Sequence, residues 1–387
     1  MRRFAAGCLA WLVVCSVAFA EDQKVTLDKQ RESVKVMLGD DVFTVFRFGP
    51  GRRKPFFQPV TGPGGFELLK EAVSTQQPDS PARKVFVVSE IAPLTADEGA
   101  ARVAHYGDVL TVDRVDGNKL WISARNGWIN RSDVAPLAAT VTRLINDNPL
   151  PIKDKLSPDF YDHPHHKGIW FSVDEINGIK FWMEESRVAV QSVEVEQGKG
   201  NPAVIKFVSH WLDKKDAPVL KEETTVSFYP NRLMTYDVKL SAAGESVKIG
   251  DTKEGMFAIR LPNSMREYAG GGPVTNADGA NGTKEAWGKP SHWVNYNGPV
   301  DGHVFGVAIM DSPKNPWASR YHVRDYGLFS INPFGAGAYT AETPEPQPAH
   351  ARELKAGEDL HFKYGIWIHD GALGADEINK VYEGFAK

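Results

Sequence analysis

Apolar and polar residues alternate with a period of two along most of this chain, and that regularity leaves little room for anything but a sheet protein. Successive side chains of a strand point to opposite faces, so alternation marks a strand with one buried face; a helix needs apolar residues at i, i+3, i+4 and i+7. The alternation runs through Val34-Lys35-Val36-Met37-Leu38, Val42-Phe43-Thr44-Val45-Phe46, Val188–Val195 and Val204-Ile205-Lys206-Phe207-Val208. It continues in Thr224–Phe228, Leu233–Leu240, Val304–Met310 and His361–Ile368. Glycine and proline punctuate these runs, as turns between strands require. One helical stripe is visible, in the tail, at Ile378, Val381, Tyr382 and Phe385. The expected fold is all-β, a large sandwich closed by a C-terminal helix.

The first twenty residues read as a secretory signal, with Arg2 and Arg3, an apolar stretch from Leu9 to Phe19, and Ala18-Phe19-Ala20 before the cleavage point. The protein is therefore expected to be secreted or periplasmic. Both cysteines, Cys8 and Cys15, fall inside that segment, so the processed chain has no disulfide, thiolate metal site or cysteine nucleophile. Its stability must come from a large core, which its length permits. No later segment reaches transmembrane length, so no stable membrane span is expected. The net charge of -4 becomes -6 without Arg2 and Arg3, which argues against a nucleic-acid binder working through a basic surface. Ten Trp, eleven Tyr and twenty Phe could stack on sugar rings, but a β core accounts for most of them.

Residues 84–137 depart from the long-strand pattern. Short strands surround a hairpin at Asp116-Gly117-Asn118, and the series Gly107-Asp108-Val109-Leu110, Trp121-Ile122, Gly127-Trp128-Ile129 and Asp133-Val134 resembles bacterial SH3-like barrels. Such a likeness implies a cell-wall or peptide ligand. Gln76–Pro81 reads as a linker ahead of it. Similar β patterning on both sides makes it an insertion between a first part of the sandwich, 21–75, and a main part, 138–387.

Four clusters carry titratable groups. The first is Asp162-His163-Pro164-His165-His166-Lys167-Gly168, where three of the chain's eleven histidines fall within four residues at the entrance of the strand Ile169–Val173. Histidine titrates near neutral pH and is a common metal ligand, so His165 and His166 are candidate acid–base groups. The second is Asp251–Arg260, where Glu254 could act as a base or metal ligand and Arg260 could clamp an oxygen; alone it would read as a solvated turn. The third, Trp287–Gly298, places Trp287 and Trp293 on what looks like loop, where aromatics often line a ligand site. The fourth, Trp317–Phe329, contains His322, Arg324, Asp325 and Tyr326, with His322 and Asp325 a possible oriented pair. No P-loop, dinucleotide-binding glycine pattern, nucleophile elbow or zinc-peptidase helix motif occurs.

Taken together, these motifs resemble the secreted bacterial PmoA-like ("methane oxygenase PmoA") family. The matching residues are Lys54-Pro55-Phe56-Phe57, the histidine motif, Lys253-Glu254-Gly255, Trp287-Gly288-Lys289, Arg324–Phe329 and Asn332-Pro333-Phe334-Gly335. The inserted module departs from that pattern. The resemblance implies a galactose-mutarotase-like β-sandwich and carbohydrate use. A helical membrane monooxygenase is not expected from so β-rich a chain.

Three functions follow as expectations. In the first, a carbohydrate-active enzyme works on a sugar or sugar derivative with His165 or His166 as acid and Glu254 as base. His322 and Arg260 would hold oxygens, and Trp287, Trp293, Arg324, Asp325 and Tyr326 would contact substrate. In the second, His163, His165 and His166 bind a divalent metal such as zinc, with Glu254 or His322 completing the set of a metal-dependent hydrolase or lyase. In the third, a non-catalytic module binds polysaccharide or cell-wall material through its aromatics.

Overall fold

The computed structural model describes residues 24–69, 83–87, 89, 91–96, 102–105, 108–136, 163, 165–267, 271–349 and 351–387. The signal segment 1–20, the linker 76–81, and Asp162 and Pro164 of the histidine motif lie outside the described residues.

Two antiparallel sheets face each other. One has nine strands, in the order Lys199–Gly200, Val25–Lys29, Ser33–Leu38, Asp41–Arg47, Phe56–Val60, Ile169–Phe171, Phe257–Arg260, Leu328–Asn332 and Arg320–Val323. The other has eight, in the order Val188–Gln197, Ala203–Leu212, Pro218–Phe228, Leu233–Ala242, Asp359–Asp370, His303–Asp311, Trp293–Val300 and Val274–Asn276. The apolar half of each alternating strand fills the space between them. Aromatic pairs join the layers directly: Phe46 lies 4.8 Å from Phe207, Phe171 stacks on Tyr236 at 5.3 Å, and Phe257 stacks on Tyr364 at 6.0 Å. Burial of these side chains from water is the main force holding the sheets together.

The helix Ala375–Ala386 buries Ile378, Tyr382 and Phe385. They pack on the outer face of the eight-stranded sheet against Leu233, Trp293, Met310 and Trp367. The protein is thus an all-β sandwich with a C-terminal helix.

The described residues between 83 and 136 form a smaller unit of short strands with a core of their own, built from Val87, Ala92, Leu94, Ile122 and Ile129 among others. In chain order it falls between Phe56–Val60 and Ile169–Phe171, two strands that pair directly through Phe57↔Ile169.

Candidate active site

The nine-stranded sheet has a second face, turned away from the core, and its registers assemble the site there. Trp170 pairs with Phe56 on one side and Ala258 on the other; Ala258 pairs with Ser330, and Ser330 with His322. One row across five strands therefore carries Phe56, Trp170, Ala258, Ser330 and His322 on the same face. Arg260, two residues beyond Ala258, shares that face. It would be a solvent face in an ordinary antiparallel sheet, yet Trp170, Arg260, Ser330 and His322 are all buried.

The histidine motif turns onto this face at Gly168, whose φ is +60°. A Cβ there would stand 2.0 Å from the Phe57 carbonyl oxygen, so only glycine lets the chain pass. Beyond it a column of rings rises from the sheet. His166 stacks on Trp170 at 5.2 Å, His163 stacks on His166 at 4.4 Å, and Tyr326 stacks on His163 at 5.3 Å. His165 lies edge-on to both neighbouring imidazoles. Arg260 donates from Nη1 to His166 Nδ1 at 2.8 Å, and its guanidinium lies 4.9 Å from the Tyr326 ring centre. A guanidinium has no lone pair to offer, so Nδ1 must accept. His166 is thereby assigned as the neutral imidazole with its proton on Nε2.

At the column's foot Lys54 is buried beneath Trp170 and Trp182, with Nζ 5.4 and 5.9 Å from their ring centres. It donates to the Trp182 carbonyl at 3.2 Å and lies 3.5 Å from the Glu184 carboxylate, which also pairs with Lys167 at 3.1 Å.

The second wall is the segment 251–256, held from three directions. Asp251 accepts the backbone N–H groups of Gly337 and Ala338 at 2.9 and 2.8 Å. Asn332 donates to the carbonyls of Thr252 and Glu254 at 2.9 and 3.0 Å. The Tyr339 hydroxyl donates to the Lys253 carbonyl at 2.5 Å. So fixed, the segment brings Glu254 Oε2 to 3.6 Å from His322 Nδ1, which donates to the Lys253 carbonyl at 3.1 Å. Trp287 stands edge-on to His322 and Tyr339 at 6.3 and 5.4 Å.

Two ionisations are displaced here. Burial foremost, and Asp174 after it, raise the Glu254 carboxyl to about 7, against the pull of Arg324, Lys180 and Lys253. The Glu254 side chain keeps 37% of its surface open to solvent, which tempers the effect of burial. Burial, then Arg324, lowers His322 to about 3. His322 is therefore neutral, with its proton on Nδ1 toward Lys253 and a lone pair on Nε2. Near neutral pH the pair offers one titrating carboxyl and one permanent acceptor.

The structure gathers His163, His165, His166, Glu254, Arg260, Trp287, His322, Arg324 and Tyr326 around this face. It does not place Trp293 or Asp325 there. Trp293 opens a strand of the other sheet, is 1% exposed, and donates from Nε1 to Asn379 of the C-terminal helix at 2.8 Å. It is a packing residue. Asp325 is exposed at the tip of the turn 324–327, and the carboxylate beside His322 is that of Glu254.

The expected zinc ligand set from His163, His165 and His166 also fails to form. The rings of His163 and His166 are parallel to within 9°, so their in-plane lone pairs run side by side instead of meeting, and His166 Nδ1 already accepts from Arg260. Among the described residues no group of three or more His, Cys, Asp or Glu could hold a metal ion.

Local sequence pattern does not mark Lys54, Trp182 or Tyr339 as site residues. Only the strand parity of Trp170, opposite to that of the core residues Ile169 and Phe171, marks it in advance.

Residues 134–383 match the model of the Family of unknown function (DUF6807). The chain belongs to this family. No curated protein matches it. Among solved structures it is similar to galactose 1-epimerase from Lactobacillus acidophilus NCFM, at 9% identity and a TM-score of 0.33, over 90% of this chain and 98% of that one. The GalM/aldose epimerase homologue from C. elegans matches at 8% identity and a TM-score of 0.31, over 90% and 99%. A beta-arabinopyranosidase matches at 11% identity and a TM-score of 0.30, over 52% of this chain and 34% of that one. The chain spans 20% and 34% of the length of the first two structures it matches.

Proposed function

We propose that this protein is a carbohydrate-active enzyme whose reaction turns on proton transfer at Glu254. The observation that carries this reading is the pairing of a carboxyl near pKa 7 with a neutral imidazole 3.6 Å away. A base works best when its pKa lies near the operating pH, and displaced ionisations gather at catalytic sites. Glu254 in its ionised form is the base, taking a proton from a sugar carbon or hydroxyl. His322 Nε2 accepts a hydrogen bond from a hydroxyl of the same molecule.

His166 takes a different role from the acid expected of it. A neutral imidazole is too weak an acid to give up its proton, and Nε2 is buried from solvent, so His166 positions the rings stacked on it rather than touching substrate. Arg260 holds its tautomer. Half-buried Tyr326 and Trp287 supply the flat apolar surfaces that sugar C–H groups prefer.

The test is a panel of aldoses, ketoses and sugar acids incubated with the protein in deuterium oxide and followed by proton NMR for turnover or C–H exchange. Turnover or exchange that falls at least about 100-fold in a folded Glu254→Gln variant is expected, since loss of a positioned base removes that much. Full activity in Glu254→Gln, or no reaction with any sugar, would overturn the reading.

A further inference from the structure

Two of the cations around Glu254, Arg324 and Lys253, are held by aromatic rings rather than by acids. The Arg324 guanidinium lies 5.4 Å from the Tyr326 ring centre, and Lys253 Nζ lies 5.6 Å from that of Trp287. Among the described residues neither makes an ion pair within 4 Å, whereas Lys167, Lys180 and Arg187 all do. Both are close enough to Glu254 to oppose the rise of its pKa, and both also act on His322. Arg320 joins Arg324 in acting on Tyr339. The acid that acts on Glu254, Asp174, is itself engaged by Lys180 at 3.9 Å.

A ring face takes up one side of a guanidinium or ammonium and leaves its N–H groups free to donate. The indole N–H of Trp287 adds a buried donor with no acceptor among the described residues. This corner of the site thus presents donors and positive charge beside the Glu254 carboxyl. That is the complement of an anion, and the planar fork of Arg324 matches a carboxylate best.

We propose that the substrate is a sugar acid, a uronate or aldonate, whose carboxylate is seated between Arg324 and Lys253 beside Glu254. This rests on the proposed function of the same site and names its substrate class. A carboxylate so neutralised also makes the adjacent C–H easier to deprotonate, which suits a base at Glu254.

Isothermal titration of the full chain with D-glucuronate, D-galacturonate and D-gluconate, each against glucose and galactose, tests it. Sodium sulfate serves as an anion without a sugar. At least one sugar acid should bind 10-fold or more tightly than the neutral sugars. That preference should shrink to about 3-fold or less in Arg324→Gln and weaken as salt rises, because screening dilutes the charge term. Lys253→Gln, at an exposed position, provides a second reading should Arg324→Gln fail to fold. Neutral sugars binding as tightly as the acids would overturn the substrate class while leaving a sugar enzyme in place. A preference for acids unchanged in both variants, or sulfate binding as tightly as any sugar acid, would also overturn it. Binding of no sugar at all would remove this inference and the proposed function together.

Discussion

Replacing Lys54 with methionine isolates the energetic cost of one buried charge. Lys54 is 1% exposed, and burial foremost, with Lys167 adding to it and Glu184 opposing, lowers its pKa from 10.5 to about 8. A folded pKa below the unfolded one means that the unfolded chain binds more protons. Stability therefore rises with pH between about 8 and 10.5. At about 1.4 kcal/mol per unit, keeping the ammonium charged costs about 3 kcal/mol at pH 7 and about 1.5 kcal/mol at pH 9.5. Methionine has a similar shape without the charge, and Glu184 keeps its partner Lys167 at 3.1 Å. Urea unfolding of both proteins at the two pH values gives the difference directly, since every other titrating group is common to both. Between pH 7 and 9.5 the parent should gain about 2 kcal/mol relative to Lys54→Met. Parallel behaviour would refute the reasoning, for it would mean that the Lys54 amine titrates as it does in water.

Other consequences follow from the same geometry. Activity that depends on Glu254 as a base should rise with pH through about 7, and a profile falling across that range would assign it the opposite role. Nitrogen NMR should find His166 Nδ1 unprotonated in the parent and exchanging between tautomers in Arg260→Met, with sugar affinity down about 10-fold, or about 1.4 kcal/mol. Trp293→Ala should cost about 3–5 kcal/mol of stability and leave sugar affinity in the folded protein unchanged; lost affinity without lost stability would return Trp293 to the site. Gly168→Ala should lower stability by about 2–4 kcal/mol through its clash with the Phe57 carbonyl, and a neutral result would remove that close approach.

The fold class was open to sequence reasoning because a buried face writes itself as alternation, and Ile378, Tyr382 and Phe385 mark the closing helix equally plainly. Much of the candidate site is also visible locally, because histidines, Arg260 and Glu254 stand out against β-branched runs. What local pattern withholds is register. Nothing near Trp170 says that Ala258, Ser330 and His322 will share its row, because each pairing joins strands distant in sequence. Trp293 and Trp287 look alike within one aromatic segment, but the first enters a strand facing the helix and the second does not. Lys54 falls within a motif, but a lysine gives no local sign that its ammonium will lie under two indoles. His322 and Asp325 are close in sequence, yet the strand ends between them and the turn carries Asp325 into water.

The pairing of Phe57 with Ile169 joins strands whose nearest ends, Val60 and Ile169, are 109 positions apart. Each doubling of such an excursion adds only about 0.6 kcal/mol of closure entropy, so its length is nearly free to vary. The four strands before it form a block clasped on both flanks by later chain, with Lys199–Gly200 beside Val25–Lys29 and Ile169–Phe171 beside Phe56–Val60. A protease cut inside the excursion would leave two fragments whose strands interdigitate in one continuous ladder. They should stay together without a covalent link, and the amino-terminal fragment should be able to find its place when supplied separately.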